Sequence, residues 1–360
     1  MRTVLRIPFP TLPRRVLLGV VVLLSANLSL AFSHLAPQVK WPARTVATAV
    51  PRRRVVLARS RRVTVAPPKA LAARTSVPAP ARTMEETRML TLEHGAFPGR
   101  RAPDALVYVP AGIDPAQPLN VVVFIHGWNG CAASVSADVP TECHPDGTRR
   151  GPLALVSQVR TSGAAAVLVV PQMGLEARSS DPGRFREPGF FRAFLAEVLS
   201  QMEPTLGRHR VEDLGRVVLA SHSGGYVTLL QVLSHGDVPV DEIALFDSLY
   251  DGSDRVLAWV ADHADRFDPA SARPVRLVSV YRGGATEAST EELGRGAVEV
   301  LRREGHPEWV LRRRTEGTVT AAEAHAPVVL ARVPGNHQQA VRWNLATVLA
   351  GAGMPVVAAR

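Results

Sequence analysis

The sequence predicts an α/β fold: a mostly parallel sheet of about eight strands flanked by helices, preceded by a disordered N-terminal arm. Three observations predict it. Short continuous runs of Val, Leu and Ile recur after Met84, and helix-length amphipathic segments separate most of the later ones. The stretch before them is rich in Pro, Ala and Arg and holds no carboxylate. Uninterrupted β-branched runs are what strands covered on both faces look like, and their alternation with helices implies parallel pairing.

The runs fall at Met89 to Leu92, Ala105 to Val109, Asn120 to Ile125, Ala165 to Val170, Arg216 to Ala220, Glu242 to Phe246, Pro274 to Val280 and Pro327 to Val333. Gly189 to Leu206 and Thr290 to Glu304 have the length and polarity pattern of surface helices. No internal repeat is evident. Segments between strands are short except for about 130–162 and 174–184, so there is no long cap insertion and the expected pocket is fairly open.

Residues 1–31 read as a signal peptide or a membrane anchor. Arg2, Arg6, Arg14 and Arg15 precede the apolar run Val16 to Leu24, and Ser29-Leu30-Ala31 offers small residues for a cleavage site. As an anchor, the segment from Val16 to Phe32 approaches the roughly 20 apolar residues needed to cross a bilayer, but Ser25, Asn27 and Ser29 interrupt it. Residues 32–87 read as a disordered basic linker, because few aromatics, many prolines and unopposed charge cannot support a core. Residues 88–355 form the expected folded domain.

The overall charge of +10 is unevenly placed. The chain up to Arg82 has 13 Arg, 2 Lys and no acidic residue, which leaves the remainder at −5. A mildly acidic body lacks the footprint for a phosphate backbone, which excludes nucleic acid as a specific partner of the domain. The arm has the charge to dock on an anionic envelope surface; as a solvated spacer it needs no partner. Cys131 and Cys143 lie in a loop-like stretch, and after export a disulfide is their economical pairing. The alternatives are two unrelated thiols, or a metal site with His144 that lacks a further Cys or His at ligand spacing.

Ligands of an open parallel sheet bind beyond the carboxyl ends of its strands, so the residues that follow each run carry the functional information. After Asn120 to Ile125 comes His126-Gly127-Trp128-Asn129-Gly130, and after Arg216 to Ala220 comes Ser221-His222-Ser223-Gly224-Gly225. Asp247-Ser248-Leu249-Tyr250-Asp251 follows Glu242 to Phe246, and Pro334-Gly335-Asn336-His337 follows the last run. Serine, carboxylate and histidine arrive in that order.

That order, with those turn residues, resembles the α/β-hydrolase superfamily, in particular its serine esterases and lipases. The small-x-Ser-x-small pattern of its nucleophile elbow is met by Ser221 and Gly225 around Ser223; a frame on Ser221 would put Leu219 where bulk is not tolerated. Ser221 stands where the commonest pattern has Gly, and the steric demand is still met. The resemblance implies Ser223 as nucleophile, His337 as base and Asp247 as the acid that holds the imidazolium, with Asp251 and Glu287 as alternatives for the acid. It implies the backbone N–H groups of Gly224 and Trp128 as the oxyanion hole, with His126 supporting that loop. Asn129 and His222 are the candidates for substrate contact.

The function implied is a secreted or envelope-associated serine hydrolase, periplasmic, extracellular or anchored facing outward. It would cleave carboxylic esters, small or polymeric, through an acyl-enzyme, and would need no metal or organic cofactor. An amidase or peptidase of the same fold and a non-catalytic binding module of that fold are the alternatives. The sequence sets no oligomeric state.

Overall fold

A computed structural model describes residues 82–97, 103–128, 130–143, 149–174, 181–314 and 317–357. The expected export segment and nearly all of the basic linker lie outside the described residues, as do Asn129 and His144. The strands in chain order are β1 (Glu86–Leu90), β2 (Ala105–Val109), β3 (Asn120–Ile125), β4 (Thr141–Glu142), β5 (Arg149–Arg150) and β6 (Ala166–Pro171). They continue as β7 (Val217–His222), β8 (Glu242–Phe246), β9 (Arg276–Tyr281), β10 (Val310–Arg314) and β11 (Val328–Arg332). Nine of them form one sheet in the order β1-β2-β6-β3-β7-β8-β9-β11-β10, while β4 and β5 pair as a small separate hairpin. Only β2 runs against the others in the large sheet; every pairing from β6 to β10 is parallel.

The expected fold class is observed, with corrections of detail. The sheet has a ninth strand, β10, at its far edge beside β11. Among the described residues, packed structure is present before residue 88. Thr83 is buried, its hydroxyl donates to the Pro110 carbonyl at 2.8 Å, and β1 begins at Glu86.

Side chains of the central strands alternate between two apolar layers, as a period of two requires. Val121, Val123, Ile125, Leu219, Ile243 and Leu245 face one core; Val122, Phe124, Val218, Ala220, Ala244 and Phe246 face the other. Helices α1 (Leu155–Ser162) and α6 (Leu345–Ala350) cover the second face, packed against each other. Between them in sequence, α2 (Phe190–Gln201), α3 (Tyr226–His235), α4 (Ser253–Asp262) and α5 (Glu287–Arg303) cover the first. The buried stripe of α2, Phe190, Phe191, Phe194, Leu195, Val198 and Leu199, follows helical spacing, and each such side chain contributes roughly 1.5–3 kcal/mol when fully buried. Glu242 starts β8 with no exposure, and the structure tolerates its charge because Arg276 grips it bidentately at 2.9 and 2.6 Å.

Chain order across the sheet decides where a site forms. From β3 the chain crosses to β6 on one side, then returns to β7 on the other. The crossovers leaving β3 and β7 therefore diverge, which opens a crevice beyond their carboxyl ends. The turns at those two ends are His126-Gly127 and Ser223-Gly224-Gly225.

Candidate active site

Ser223 follows the last residue of β7 and adopts φ +54°, a left-handed conformation that a non-glycine residue holds only when its surroundings impose it. Those surroundings are close backbone contacts. A Cβ on Gly127 would stand 2.5 Å from the Ser223 Cβ, and one on Gly225 would collide with the Ile125 carbonyl. The two turns are thus pressed together with room for glycine alone, and α3 starts directly after the bend at Tyr226.

Two buried hydroxyls brace the bend, Ser221 within β7 and Ser248 just past the end of β8. Ser248 donates to the Ser223 carbonyl at 2.8 Å, so its own oxygen, 2.8 Å from Ser221, accepts the Ser221 hydroxyl. Both serines are essentially unexposed. Ser221 is therefore a working part of the turn as well as a residue small enough to fit it.

Asp247 directly follows β8 and also sits at positive φ, +47°. One carboxylate oxygen accepts Thr286 Oγ1 at 2.5 Å and the Arg282 amide at 3.4 Å. The other lies 2.7 Å from His337 Nδ1 and 3.4 Å from Arg282 Nε. Burial alone would raise the Asp247 carboxyl, but hydrogen bonds from His337 and Thr286 outweigh it and hold the group below the usual carboxylate range. An ionised acceptor at Nδ1 fixes the tautomer of His337 and leaves Nε2 for other partners. Of the three acid candidates, Asp247 is the one bonded to the imidazole. Asp251 is exposed and accepts the Gly252 amide, while Glu287 pairs with Arg332 at 3.5 Å.

His337 stands in the loop between β11 and the last helices. The Asn336 side chain caps the amides of Gln338 and Gln339 at 3.1 and 3.0 Å, and Gln339 returns a bond to the Asn336 amide at 2.6 Å. The His337 ring faces that of His222, with centroids 4.4 Å apart. Because His222 immediately precedes Ser223, nucleophile and base candidates share one end of the sheet. His222 is buried, and its Nε2 lies 3.1 Å from the His337 carbonyl.

His126 is also buried. Its Nε2 accepts the Met173 amide at 3.1 Å and the Gln172 side-chain N–H at 3.2 Å, so its proton sits on Nδ1 and is donated to Gly127 O at 3.0 Å. That network ties the end of β3 to the end of β6 and holds the Gly127 loop against Ser223. Trp128, next along, has a side chain 54% exposed at the rim.

Tyr250 and Thr286 are site residues that sequence reasoning missed. Burial raises the Tyr250 phenol, an effect that the neighbouring Ser223 hydroxyl partly offsets, and its ring packs 5.7 Å from that of Tyr226. Only its place three residues past Asp247 in a strand-end stretch hinted at it. Thr286 had no such signal, because it reaches Asp247 from the turn after β9.

Cys131 and Cys143 form a disulfide, with Cα atoms 5.7 Å apart. It closes the segment that follows the Gly127 loop and carries the first strand of the small hairpin.

No protein-family model and no curated protein sequence matches the chain. Solved structures do. A feruloyl esterase module from Clostridium thermocellum, complexed with sinapinate, aligns at 14% identity and TM-score 0.44, over 76% of this chain and 89% of that one. A ferulic acid esterase from Anaeromyces mucronatus aligns at 14% and 0.38, over 78% and 95%. The enterobactin esterase of Shigella flexneri aligns at 14% and 0.36, over 75% and 58%. Independently of these distant likenesses, the strand order, the single reversed strand β2 and the tight bend from β7 into α3 give this chain the α/β-hydrolase fold.

Proposed function

We propose that this protein is an exported serine hydrolase that cleaves carboxylic esters through an acyl-enzyme. The observation that carries the reading is the 2.7 Å bond between His337 Nδ1 and Asp247, made at the strand ends where Ser223 is held on a positive-φ bend. In this reading Ser223 Oγ attacks the ester carbonyl carbon while His337 Nε2 takes its proton, and the resulting imidazolium is stabilised by ionised Asp247. The carbonyl oxygen, now negative, is held by the N–H groups of Gly224 and Trp128. Collapse expels the alcohol, which takes the proton from His337. Water then repeats the sequence on the acyl-enzyme and releases the acid.

Esters are preferred over amides because they are the commoner substrates of the superfamily this chain resembles, and the short segments between most strands suit small or polymeric esters. Export is supported by the N-terminal segment and by the disulfide.

A fluorophosphonate probe on the purified protein, with turnover of a short p-nitrophenyl ester, tests the reading. Labelling at Ser223, lost in Ser223→Ala together with turnover, is the expected result. A folded wild-type chain that neither labels nor turns over would make this a non-catalytic module.

A further inference from the structure

We propose that His222 is a positioning residue that sets the spacing between the nucleophile and its base. The inference rests on the hydrolase reading above. Its ground is a juxtaposition: His222 is joined by a peptide bond to Ser223 and by a hydrogen bond to the main chain of His337.

The base loop has few anchors of its own. Asn336 and Gln339 organise its turn internally, and Arg282 reaches the Gly335 carbonyl only at 3.5 Å. The His337 ring is held on one side by Asp247. Its own peptide is held by His222, whose Nε2 donates to the His337 carbonyl at 3.1 Å, while the two rings face each other at 4.4 Å and 38°. A donor at Nε2 facing a carbonyl requires a proton there. One buried side chain therefore ties the strand that ends at the nucleophile to the loop that carries the base. A shift of about 1 Å in such a constellation can cost on the order of a hundredfold in rate.

The chemistry of the pair agrees. His222 is buried, and that burial, with help from neighbouring His337 and His126, depresses its imidazole from 6.5 to about 3. A neutral ring beside His337 adds no repulsion when His337 becomes an imidazolium. Around His337 the charged groups are then Asp247, which favours that cation, and Arg282, which is shared with the same carboxylate.

Two variants separate anchoring from packing. His222→Phe keeps a ring and loses the donor; His222→Gln keeps an N–H donor and loses the ring. With p-nitrophenyl acetate, His222→Phe is expected to lower kcat by about 10- to 100-fold with KM within about twofold, and to slow fluorophosphonate labelling of Ser223 by the same factor. His222→Gln is expected to restore most of both. A folded His222→Phe protein with wild-type kcat overturns the proposal, as does a His222→Gln protein as slow as the Phe variant. A measurement on the unaltered protein needs no variant to fold: nitrogen-15 shifts of the His222 ring should report a proton on Nε2 and none on Nδ1, and the opposite tautomer overturns it. Wild-type protein that labels at Ser223 but is indifferent to His222→Phe sinks the positioning role alone. Wild-type protein that does not label sinks the hydrolase reading first.

Discussion

The Ser248 hydroxyl donates to the Ser223 carbonyl across 2.8 Å, so the segment that follows β8 holds the bend at the end of β7 by a side chain. The same oxygen receives the Ser221 hydroxyl, and both serine side chains are shut off from solvent. Ser248→Ala would take a partner from the Ser223 carbonyl and from the buried Ser221 hydroxyl together. Unfolding in urea should show a loss of about 1–3 kcal/mol with an unchanged slope. Turnover should fall as well, since the positive φ of Ser223 loses a restraint. A variant with wild-type midpoint would mean that the bend is held by the glycine contacts alone.

Asp247 makes its own prediction. In a serine triad the acid orients and stabilises the imidazolium, and replacing it by its amide lowers turnover by about 10⁴-fold. Asp247→Asn should lower kcat on that scale while substrate affinity persists. Asp251→Ala and Glu287→Ala should leave kcat within about threefold, because their carboxylates are engaged elsewhere. Parallel kinetics on the three purified variants decide the assignment. A larger loss from Glu287→Ala than from Asp247→Asn would reverse it.

The central strands were legible because each is buried on both faces, and a strand in that position must be a run of apolar residues whatever the rest of the chain does. Ala105–Val109, Asn120–Ile125 and Glu242–Phe246 begin and end where the sequence places them. Edges were less legible. In β10 the Val-Leu pair is followed by three arginines, too short an apolar run to stand out as a strand, yet an edge strand pairs on one side only and tolerates charge. The strand β7 runs through Ser221 and His222, two residues longer than its apolar run, because both pair with β8 despite their polar side chains. The same distinction governs the site. Ser223, Asp247 and His337 each follow an apolar run, so strand ends locate them. Ser248, Thr286 and Gln172 act through bonds between segments distant in sequence, and only the register of neighbouring strands brings those partners together.

Backbone crowding at the crevice gives a third test. No side chain fits at Gly225, because its Cβ would meet the backbone carbonyl of Ile125, which cannot swing aside as a side chain could. Gly225→Ala must part β3 from the bend, at a cost of about 1–3 kcal/mol by analogy with overpacked cores. The parting also moves the Gly127 loop relative to Ser223. Loss of turnover should therefore exceed loss of stability, with most of the variant folded by circular dichroism at 25 °C and kcat reduced. Full activity would show that the loop and the bend adjust independently.

Reduction of the Cys131–Cys143 bridge tests what the loop after Gly127 needs. The two residues are 12 apart in sequence, and closing a loop of that length stabilises the fold by about 3 kcal/mol in the chain-entropy model. The double variant Cys131→Ala, Cys143→Ala should unfold at a lower guanidinium midpoint by an amount of that order. Dithiothreitol should lower the midpoint of the wild type and leave that of the double variant where it is. A midpoint unaffected by either treatment would mean that the segment is held by its other contacts, including the Gln172 bond to the Ala132 amide at 2.9 Å.

The buried imidazole of His222 couples stability to pH in a direction that follows from its burial. Folded, it takes up a proton only near pH 3; unfolded, it does so near 6.5. Between those values the unfolded chain binds more protons at this residue than the folded one, so stability must rise with pH through the window. The contribution is fully present above about 6.5 and is lost as pH falls toward 3. At its steepest the slope is about 1.4 kcal/mol per pH unit for one proton. His222→Gln cannot titrate, so subtracting its pH–stability curve from that of the wild type isolates the residue from Asp247 and every other acid-sensitive group. Urea unfolding of both proteins at intervals from pH 4 to 8 should give a difference that grows steadily below about 6.5 and is flat above it. A difference that stays flat across the whole range would mean that the folded protein accommodates a charged His222, and with it a second cation stacked on the imidazole of His337.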